Sequence, residues 1–340
     1  MTRELSIEVI QRQTSRILGG TTPKDLVPLL AREAEVYVVY DKNVAWVAEE
    51  LACGSVKASI GIDTSEKLKC MDTVLFITRK LMEAGASRKA LVLAVGGGIT
   101  SDLVGFSASI YMRGVRYANV PTTLLAQVDA AIGGKTGVNL EGYKNMLGVI
   151  VQPEFTFLCA DVLRTLPQRE FRSGAAELLK TFLLADAVAY LGALAVLSQD
   201  MTAQEERLQG LIEHAAEIKA DIVARDPFDQ GERAKLNLGH TFAHAIEHEA
   251  RLRGDDITHG EAVSMGIILA AEMSDRERIS NVLAERLKRD FERVGLPTEC
   301  PYPQEVLREA MARDKKAAAG KVKFILLRTI GDVIMKEVEL

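Results

Sequence analysis

The chain has 340 residues, 48% hydrophobic and 26% charged, a composition typical of a globular enzyme rather than of a disordered or membrane protein. With 42 basic and 47 acidic residues the net charge is −5, which argues against nucleic acid as a partner. The sequence opens without a secretory pattern, contains no apolar run of membrane-spanning length, and carries four scattered cysteines that fit reduced thiols. We therefore expect a cytoplasmic protein without a membrane partner.

The first third of the chain alternates strand-like and helix-like segments. Residues 36–40 and 56–60 are strand-like, whereas 44–51 and 66–83 have helical periodicity. This alternation predicts a parallel α/β sheet. Asp41 follows the first of these strands, where a parallel sheet gathers its ligands, so it could accept a hydrogen bond from a ribose or an adenine. A helix N-cap is an equally good interpretation of Asp41.

A strand-like run at 91–95 leads into three consecutive glycines and then into an apolar stretch of helical length. Such a turn presents backbone N–H groups and a helix N-terminus to an anion, typically a diphosphate. The segment departs from the dinucleotide fingerprint because Ser101 occupies its last glycine position and no acidic residue follows about twenty positions later. Taken alone, it fits a sharp turn after a core strand equally well.

A second glycine-rich segment, GGKTG, covers residues 133–137. It imitates the end of a phosphate-binding loop, but Asp129 stands where that motif requires a glycine, so a kinase or an ATPase is disfavoured. The remaining interpretation is a bend that carries Lys135, with Lys144 and Asn145 a few residues later. Each lysine alone fits a solvated surface residue, whereas a cluster interleaved with glycines favours an anion site.

The second half of the chain is helical in pattern. Helices are predicted at 172–184, 187–197, 205–225, 234–249, 260–273, 280–294 and 304–313, before short strands at 322–327 and 332–337. We therefore predict an α/β fold with a Rossmann-like parallel-sheet domain at 1–163, followed by a mostly α-helical domain at 164–340.

Four of the five histidines fall within twenty positions, at His240, His244, His248 and His259. The first three recur every four residues and therefore share one helical face. A single helical histidine is usually a satisfied polar residue, but several stacked histidines favour a metal site. Two imidazoles and a carboxylate would leave open positions on zinc, as a catalytic rather than a structural site requires.

The succession GGG, SD, YMRG, PTTLLAQVD, GGKTGVN and KN, followed by NLGHTFAHAIEHE and HGEAV, resembles the dehydroquinate synthase family. The resemblance extends from Asp41 to Lys316. It implies a homodimeric enzyme that uses NAD and one divalent metal, zinc or cobalt. The implied reaction, the second step of the shikimate pathway, converts 3-deoxy-arabino-heptulosonate 7-phosphate into 3-dehydroquinate and phosphate. Its implied stages are transient oxidation of a hydroxyl, phosphate elimination, re-reduction and intramolecular aldol closure.

The family's metal motif implies that Glu177, His240 and His259 are the metal ligands. His244, one helical turn from the metal, is implied to move a proton or contact the phosphate. For Glu177 alone, a carboxylate favoured by a helix N-terminus is the other interpretation. His248 matches no family role and is interpreted as helix surface.

The other matching positions form two sets. Those implied to contact the substrate are Asp129, Lys135, Asn145, Lys180, Lys219, Arg233, Asn237, one of Lys315 and Lys316, and Arg113, which in the family approaches the phosphate across a dimer interface. Those implied to contact NAD are Asp41, Glu66, Lys69, Gly96, Gly97, Gly98, Ser101, Asp102, Thr122, Thr123, Lys135, Lys144 and Thr165. Asp129 is implied to receive a ring hydroxyl or to orient Lys135. The chain departs from the family at Ser65, a glycine position, and at Asp229, often a glutamate.

Three rival interpretations remain. Another sugar-phosphate cyclase, of the valiolone or deoxyinosose synthase type, would share the NAD and metal parts but alter the carboxylate-holding positions. An iron-type polyol dehydrogenase would share the triple glycine and the histidine-bearing helices. A noncatalytic NAD-sensing protein would require a gap in the set of matching residues, and the sequence contains none.

Overall fold

The computed structural model describes residues 13–199, 204–314 and 321–339. Its strands are β1 (Arg16–Gly19), β2 (Val36–Asp41), β3 (Val56–Ile62), β4 (Leu91–Gly96), β5 (Arg116–Pro121), β6 (Lys135–Leu140), β7 (Tyr143–Ile150), β8 (Phe155–Leu158), β9 (Lys321–Thr329) and β10 (Asp332–Glu339). Its α-helices are α1 (Val27–Leu30), α2 (Ala45–Glu50), α3 (Met71–Glu83), α4 (Gly98–Ile110), α5 (Gln168–Ala185), α6 (Ala187–Leu197), α7 (Glu205–Arg225), α8 (His240–Arg253), α9 (His259–Arg276), α10 (Leu283–Arg293) and α11 (Gln304–Asp314).

Six strands form one parallel sheet in the order β1-β8-β5-β4-β2-β3. Strand β4 is buried along its whole length, as a Val- and Leu-rich strand covered on both faces must be. The helices from α5 onward follow the sheet, and their core is continuous with one of its faces. The predicted α/β fold with a helical second half is confirmed.

The sheet has a topological switch point between β2 and β4. The chain leaves β2 towards β3 on one side, and it leaves β4 towards β5 on the other. In open parallel sheets, ligands bind in the crevice beyond the carboxyl ends of the strands at such a switch point, so this is where a ligand is expected. Asp41 ends β2 and Gly96 ends β4, next to each other in the strand register.

Two antiparallel hairpins complete the fold. β6 and β7 pair outside the main sheet and pack against α4, and β9 and β10 pair near the carboxyl end of the chain. Among the helices, α9 packs against both α5 and α8, so three helices that carry predicted metal ligands meet at one place. None of the helices that the structure describes has the length and apolar character needed to cross a membrane.

Three sequence predictions about local structure were wrong. The helix expected at 66–83 is a short 3-10 turn followed by α3, because the Ser65 hydroxyl caps the turn and Lys69 leaves helical geometry at ψ 66°. The helix expected at 234–249 is likewise interrupted, because Gly239 adopts φ +77°. The bend expected around Lys135 is the beginning of strand β6.

Candidate active site between the sheet and the helices

Glu177, His240 and His259 converge on one point. Glu177 lies in the middle of α5 and is fully buried, while His240 and His259 are the first residues of α8 and α9. The Nε2 atoms of His240 and His259 lie 3.6 and 3.2 Å from Oε1 of Glu177. One ligand atom from each residue lies within 4.8 Å of the others.

Close backbone contacts fix the helices that carry these ligands. A Cβ at Gly260 would lie 2.0 Å from the carbonyl oxygen of Ser173, one turn before Glu177, so only glycine permits this approach of α9 to α5. The Gly260 N–H donates to the Ser173 hydroxyl at 2.9 Å. Thr258 and Glu261 form a capping box at the start of α9. The His259 backbone is therefore held from both sides.

The buried Glu177 carboxylate is surrounded by cations. Burial raises its pKa, but Lys180, whose Nζ lies 2.5 Å from Oε2, and the two histidines lower the pKa well below its ordinary value. Burial also opposes protonation of His259, yet its hydrogen bonds to Glu177 and Glu247 raise its pKa to about 10. Burial, reinforced by the charge of Lys180, lowers the pKa of His240 to about 3.

The donor set fits a divalent metal. Ligand atoms about 2.0–2.1 Å from a tetrahedral zinc are separated from each other by roughly 3.3 Å, and the two distances from Glu177 bracket that separation. Two imidazoles and one carboxylate leave a position open for substrate oxygen. The predicted ligands are thus brought together with suitable spacing.

A second group of buried charges adjoins the ligand set. Lys219 Nζ lies 2.5 Å from the Asp129 carboxylate and 2.6 Å from the Asp129 carbonyl oxygen. Lys180 is almost fully buried. Burial lowers its pKa, but the charges of Glu177 and Asp129 raise the pKa above its ordinary value. The sequence suggested Asp129 as a partner for Lys135, but Lys135 pairs instead with Asp229 at 2.5 Å.

Arg233 is buried at the base of this group. Its guanidinium donates to the carbonyl oxygens of Pro227 and Gly133, at 3.0 and 3.2 Å. A guanidinium has five N–H donors, so three form no hydrogen bond with the residues that the structure describes. Asn237 lies at the end of the 3-10 turn that begins one residue before Arg233, and its side chain is exposed.

His244 and Lys144 lie at the outer side of the ligand set. The His244 ring makes an edge contact with the His240 ring, with centroids 5.7 Å apart. Lys144, on the β6–β7 hairpin, forms an ion pair of 3.0 Å with Glu247 of α8. His248 is half-buried on the same helix.

Several predicted cofactor residues lie at the carboxyl ends of β2, β4 and β5, around the switch point. Gly97 is the N-cap of α4, and a Cβ there would lie 3.0 Å from the Thr123 side chain. The Thr122 N–H donates to the Gly96 carbonyl oxygen at 2.9 Å. Asp41 accepts from the Asn43 N–H at 2.9 Å and from the Thr64 hydroxyl, so the N-cap interpretation of this residue is confirmed.

The first turn of α4 faces a small polar cluster. Lys69 Nζ lies 2.5 Å from the Asp102 carboxylate and 2.6 Å from the side-chain oxygen of Asn145. Glu66 is tied to the same hairpin, since Asn139 donates to its carboxylate at 2.8 Å. Burial raises the pKa of Asp102 to about 6, although Lys69 lowers it. Two further residues, Gly98 and Ser101, begin the helix, and the Ser101 hydroxyl donates to the Gly98 carbonyl oxygen.

Other predicted residues lie apart from these clusters. Arg113 is on an exposed turn at φ +68°, where no described side chain pairs with its guanidinium. Thr165 accepts from the Trp46 indole at 3.4 Å and lines a surface cavity of about 460 Å³ with Arg164, which stacks on that indole. Lys315 and Lys316 lie outside the described residues.

Sequence reasoning missed two residues of the site. Glu247 contacts both Lys144 and His259, and Asn139 joins Glu66 to the Asn145 backbone. Glu247 follows His240 by seven residues, two helical turns, so the spacing contained a usable signal. Nothing in the sequence indicated that the hairpin would bring Asn139 to Glu66.

Comparisons with known proteins cover nearly the whole chain. Family models described as 3-dehydroquinate synthase N-terminal and 3-dehydroquinate synthase C-terminal match residues 59–173 and 174–317. A 3-dehydroquinate synthase from Acidithiobacillus ferrooxidans is 42% identical over 348 residues, covering 98% of this chain and 94% of that protein.

Solved structures share the fold. A 2-epi-5-epi-valiolone synthase from Streptomyces hygroscopicus, with NAD⁺ and Zn²⁺ bound, superposes with a TM-score of 0.86 and 27% identity, covering 99% of this chain and 96% of that one. A 2-deoxy-scyllo-inosose synthase complexed with carbaglucose-6-phosphate, NAD⁺ and Co²⁺ superposes with a TM-score of 0.80 at 22% identity, covering 95% and 93%. The latter likeness concerns the fold alone.

Proposed function

This chain belongs to the 3-dehydroquinate synthase family, and from that premise we propose that it is a 3-dehydroquinate synthase using NAD and one divalent metal. The reaction converts 3-deoxy-arabino-heptulosonate 7-phosphate into 3-dehydroquinate and phosphate. It comprises transient oxidation of a hydroxyl, elimination of phosphate, re-reduction and intramolecular aldol closure. Since the oxidation is reversed within the cycle, no net NADH is formed.

The observation that carries this proposal is the convergence of Glu177, His240 and His259 beside buried cations. These three residues would hold zinc or cobalt, which, when bound, polarises substrate oxygens and stabilises developing negative charge. Lys180 neutralises Glu177 and keeps the carboxylate ionised, so its oxygens are available as ligands.

Distinct cations suit the two anionic ends of the substrate. Arg233 is placed to bind the carboxylate, because a guanidinium fork can donate two parallel hydrogen bonds and only two of its five donors are used by the described residues. Lys135 and Lys144, both on the exposed hairpin, would bind the phosphate together with Asn145. Each lysine is held by a carboxylate that a phosphate could replace, Asp229 for Lys135 and Glu247 for Lys144.

Proton transfer falls to His244 in this proposal. Its ring lies against His240 and the residue is exposed, as a group that exchanges protons with substrate requires. Lys219 holds the Asp129 carboxylate in one orientation. In that orientation the carboxylate can accept a hydrogen bond from a hydroxyl of the substrate ring. Asn237 and whichever of Lys315 and Lys316 reaches the site would complete the set.

The NAD site would occupy the crevice at the switch point. Gly96, Gly97 and Gly98 allow a diphosphate to approach the N-terminus of α4, where backbone N–H groups point outward. The remaining proposed contacts come from Asp41, Glu66, Lys69, Ser101, Asp102, Thr122, Thr123 and Thr165. On this basis we propose an NAD-binding domain at 1–163 and a domain at 164–340 that holds metal and substrate.

The proposal also covers the oligomeric state and the cellular location of the protein. Arg113, exposed and unpaired among the described side chains, suits a role across a homodimer interface. The biosynthetic reaction and the composition suit the cytoplasm.

The direct test incubates purified, Zn²⁺-loaded protein with the heptulosonate phosphate and a catalytic amount of NAD⁺. We expect equimolar phosphate and dehydroquinate without net NADH accumulation. A metal-loaded protein that releases no phosphate under these conditions would refute the function.

The same assay separates the rivals. Turnover of phosphorylated sugars that lack a carboxylate, in preference to the heptulosonate, would assign the chain to another cyclase type. Net NADH with glycerol or butanol would indicate a polyol dehydrogenase.

A further inference from the structure

Glu247 occupies a position between two groups of the proposed site. Its Oε1 lies 3.4 Å from Nδ1 of His259 and 3.0 Å from Nζ of Lys144. The side chain is only 12% exposed, so this carboxylate is enclosed by the residues that it contacts. Glu247 lies two helical turns after His240 and therefore on the same face of α8.

The two nitrogens of His259 face different carboxylates. Nε2 points to Glu177 within the ligand set, and Nδ1 points to Glu247. A ring nitrogen that binds a metal carries no proton, so the neutral imidazole has its proton on the other nitrogen and needs an acceptor there. Oε1 of Glu247 is in the position of that acceptor.

The second histidine ligand is held differently. Nδ1 of His240 lies 3.2 Å from the carbonyl oxygen of Leu238, a neutral acceptor within its own chain segment. His259 instead depends on a charged side chain from another helix. A substitution can therefore remove the support of His259 without disturbing that of His240.

We propose that Glu247 is a positioning residue for the metal site: it orients the His259 ring and joins this ligand to Lys144 of the β6–β7 hairpin. The inference rests on the proposed function, since it requires the three-residue set to bind a divalent metal. Carboxylates that accept from a ligand histidine fix the ring orientation and raise its basicity, and their loss typically weakens metal binding by 10- to 100-fold.

A simple ion pair with Lys144 is the competing explanation. It would also place a carboxylate at this position, but it makes no use of His259. Under that explanation Lys144→Ala and Glu247→Ala should have the same effect on metal binding. Under our proposal Lys144→Ala leaves metal affinity within about threefold of the wild type, because Glu247 still accepts from His259.

The test compares Glu247→Ala and Glu247→Gln with Glu249→Ala. Glu249 is a matched control, since it lies on the same helix, has 13% side-chain exposure and, among the described residues, forms an ion pair only with Arg253, at 3.6 Å. Zn²⁺ affinity is measured by chelator competition on the full chain, and the visible absorption of the Co²⁺-loaded protein reports ligand geometry.

We expect Glu247→Ala to weaken Zn²⁺ binding by about 10- to 100-fold and to alter the Co²⁺ spectrum. Glu247→Gln, which keeps an acceptor oxygen without the charge, should lose less and retain the spectrum; it also serves if the alanine variant fails to fold. Glu249→Ala should match the wild type in both measurements.

Equal affinities and spectra for the Glu247 and Glu249 variants would overturn the inference, as would a loss in Lys144→Ala equal to that in Glu247→Ala. A wild-type protein that binds no metal, or binds metal and releases no phosphate, would instead refute the proposed function. The two failures are thus distinguishable.

Discussion

The candidate site holds its charges in different ways on its inner, buried side and on its outer, exposed side. On the inner side, Glu177 and Lys180 are paired at 2.5 Å with side-chain exposures of 0% and 2%. On the outer side, Lys135 and Asp229 are paired at the same distance, but their exposures are 52% and 25%. Equal distances therefore describe very different environments.

The difference indicates which part of the site is set in advance. Removing one partner of a buried pair leaves an uncompensated charge and costs about 3–5 kcal/mol, whereas an exposed pair contributes about 0–1 kcal/mol. The inner charges must keep their arrangement whether or not substrate is bound. The outer lysines can exchange their carboxylates for a phosphate at little cost.

The largest expected effect comes from the inner side. Lys180→Met should lower the free energy of unfolding of the metal-free protein by about 3–5 kcal/mol, because Glu177 loses its closest cation. Saturating Zn²⁺ should recover part of this loss, since a bound metal restores positive charge and stabilises the native state. Urea denaturation with and without Zn²⁺ measures both quantities.

Lys336→Met provides the control for that variant. Lys336 pairs with Glu277 at 2.8 Å on the surface, where solvent screens the charges, so its loss should cost much less than that of Lys180. A Lys180→Met protein as stable as this control would contradict the assignment of the inner pair as a fixed element.

An intermediate effect on stability is expected from substituting Asp102, whose side-chain exposure lies between those of the inner pair and the outer pair. Its pKa is about 6 in the folded protein, against an ordinary value of 3.8. The charged carboxylate therefore destabilises the fold above pH 6, and this cost is relieved as the pH falls through 6 towards 4. A difference of about 2 pKa units, at about 1.4 kcal/mol each, corresponds to roughly 3 kcal/mol.

Asp102→Asn removes this titration. The stability of the variant relative to the wild type should rise by roughly 3 kcal/mol between pH 4 and pH 6 and then level off, as measured by denaturation at several pH values. Loss of the Lys69 partner adds a cost that is the same at each of these pH values. Asp63→Asn, at an exposed carboxylate paired with Lys42, is the surface control. A parallel curve for Asp102→Asn would contradict the raised pKa.

The smallest effect is expected on the outer side. Asp229→Asn should change the free energy of unfolding by less than about 1 kcal/mol, because the Lys135 pair is half exposed. Freed from its competing carboxylate, Lys135 should bind inorganic phosphate up to about fivefold more tightly by calorimetry. Weaker phosphate binding in the variant would show that Asp229 supports the anion site instead of competing for it.

The sequence predicted the regular parts of the fold well. Periodicity located α7 at Glu205–Arg225 and α6 at Ala187–Leu197 with correct bounds, because long amphipathic or buried helices have strong local signals. It failed where a side chain or a glycine overrode the pattern, as at Lys69 and Gly239. It also missed the β6–β7 hairpin, whose glycines suggested only a bend.

The candidate site, too, could be predicted from the sequence only in part. Histidine spacing alone indicated a metal site at α8 and α9, but spacing could not select Glu177, more than sixty residues earlier, and that choice depended on family resemblance. Contacts between distant elements, such as that of Glu247 with Lys144, depend on how the hairpin docks against α8. No local pattern contains that information.

The close approach of Gly260 to Ser173 has a final consequence. Two of the three ligand-bearing helices cross there with main chain against main chain, leaving no compressible side chain in between. Even a methyl group at residue 260 would push α9 away from α5 and so move His259 away from Glu177. The distance between these two ligands therefore does not depend on the size of neighbouring core side chains. It depends on residue 260 having a hydrogen atom in place of a side chain.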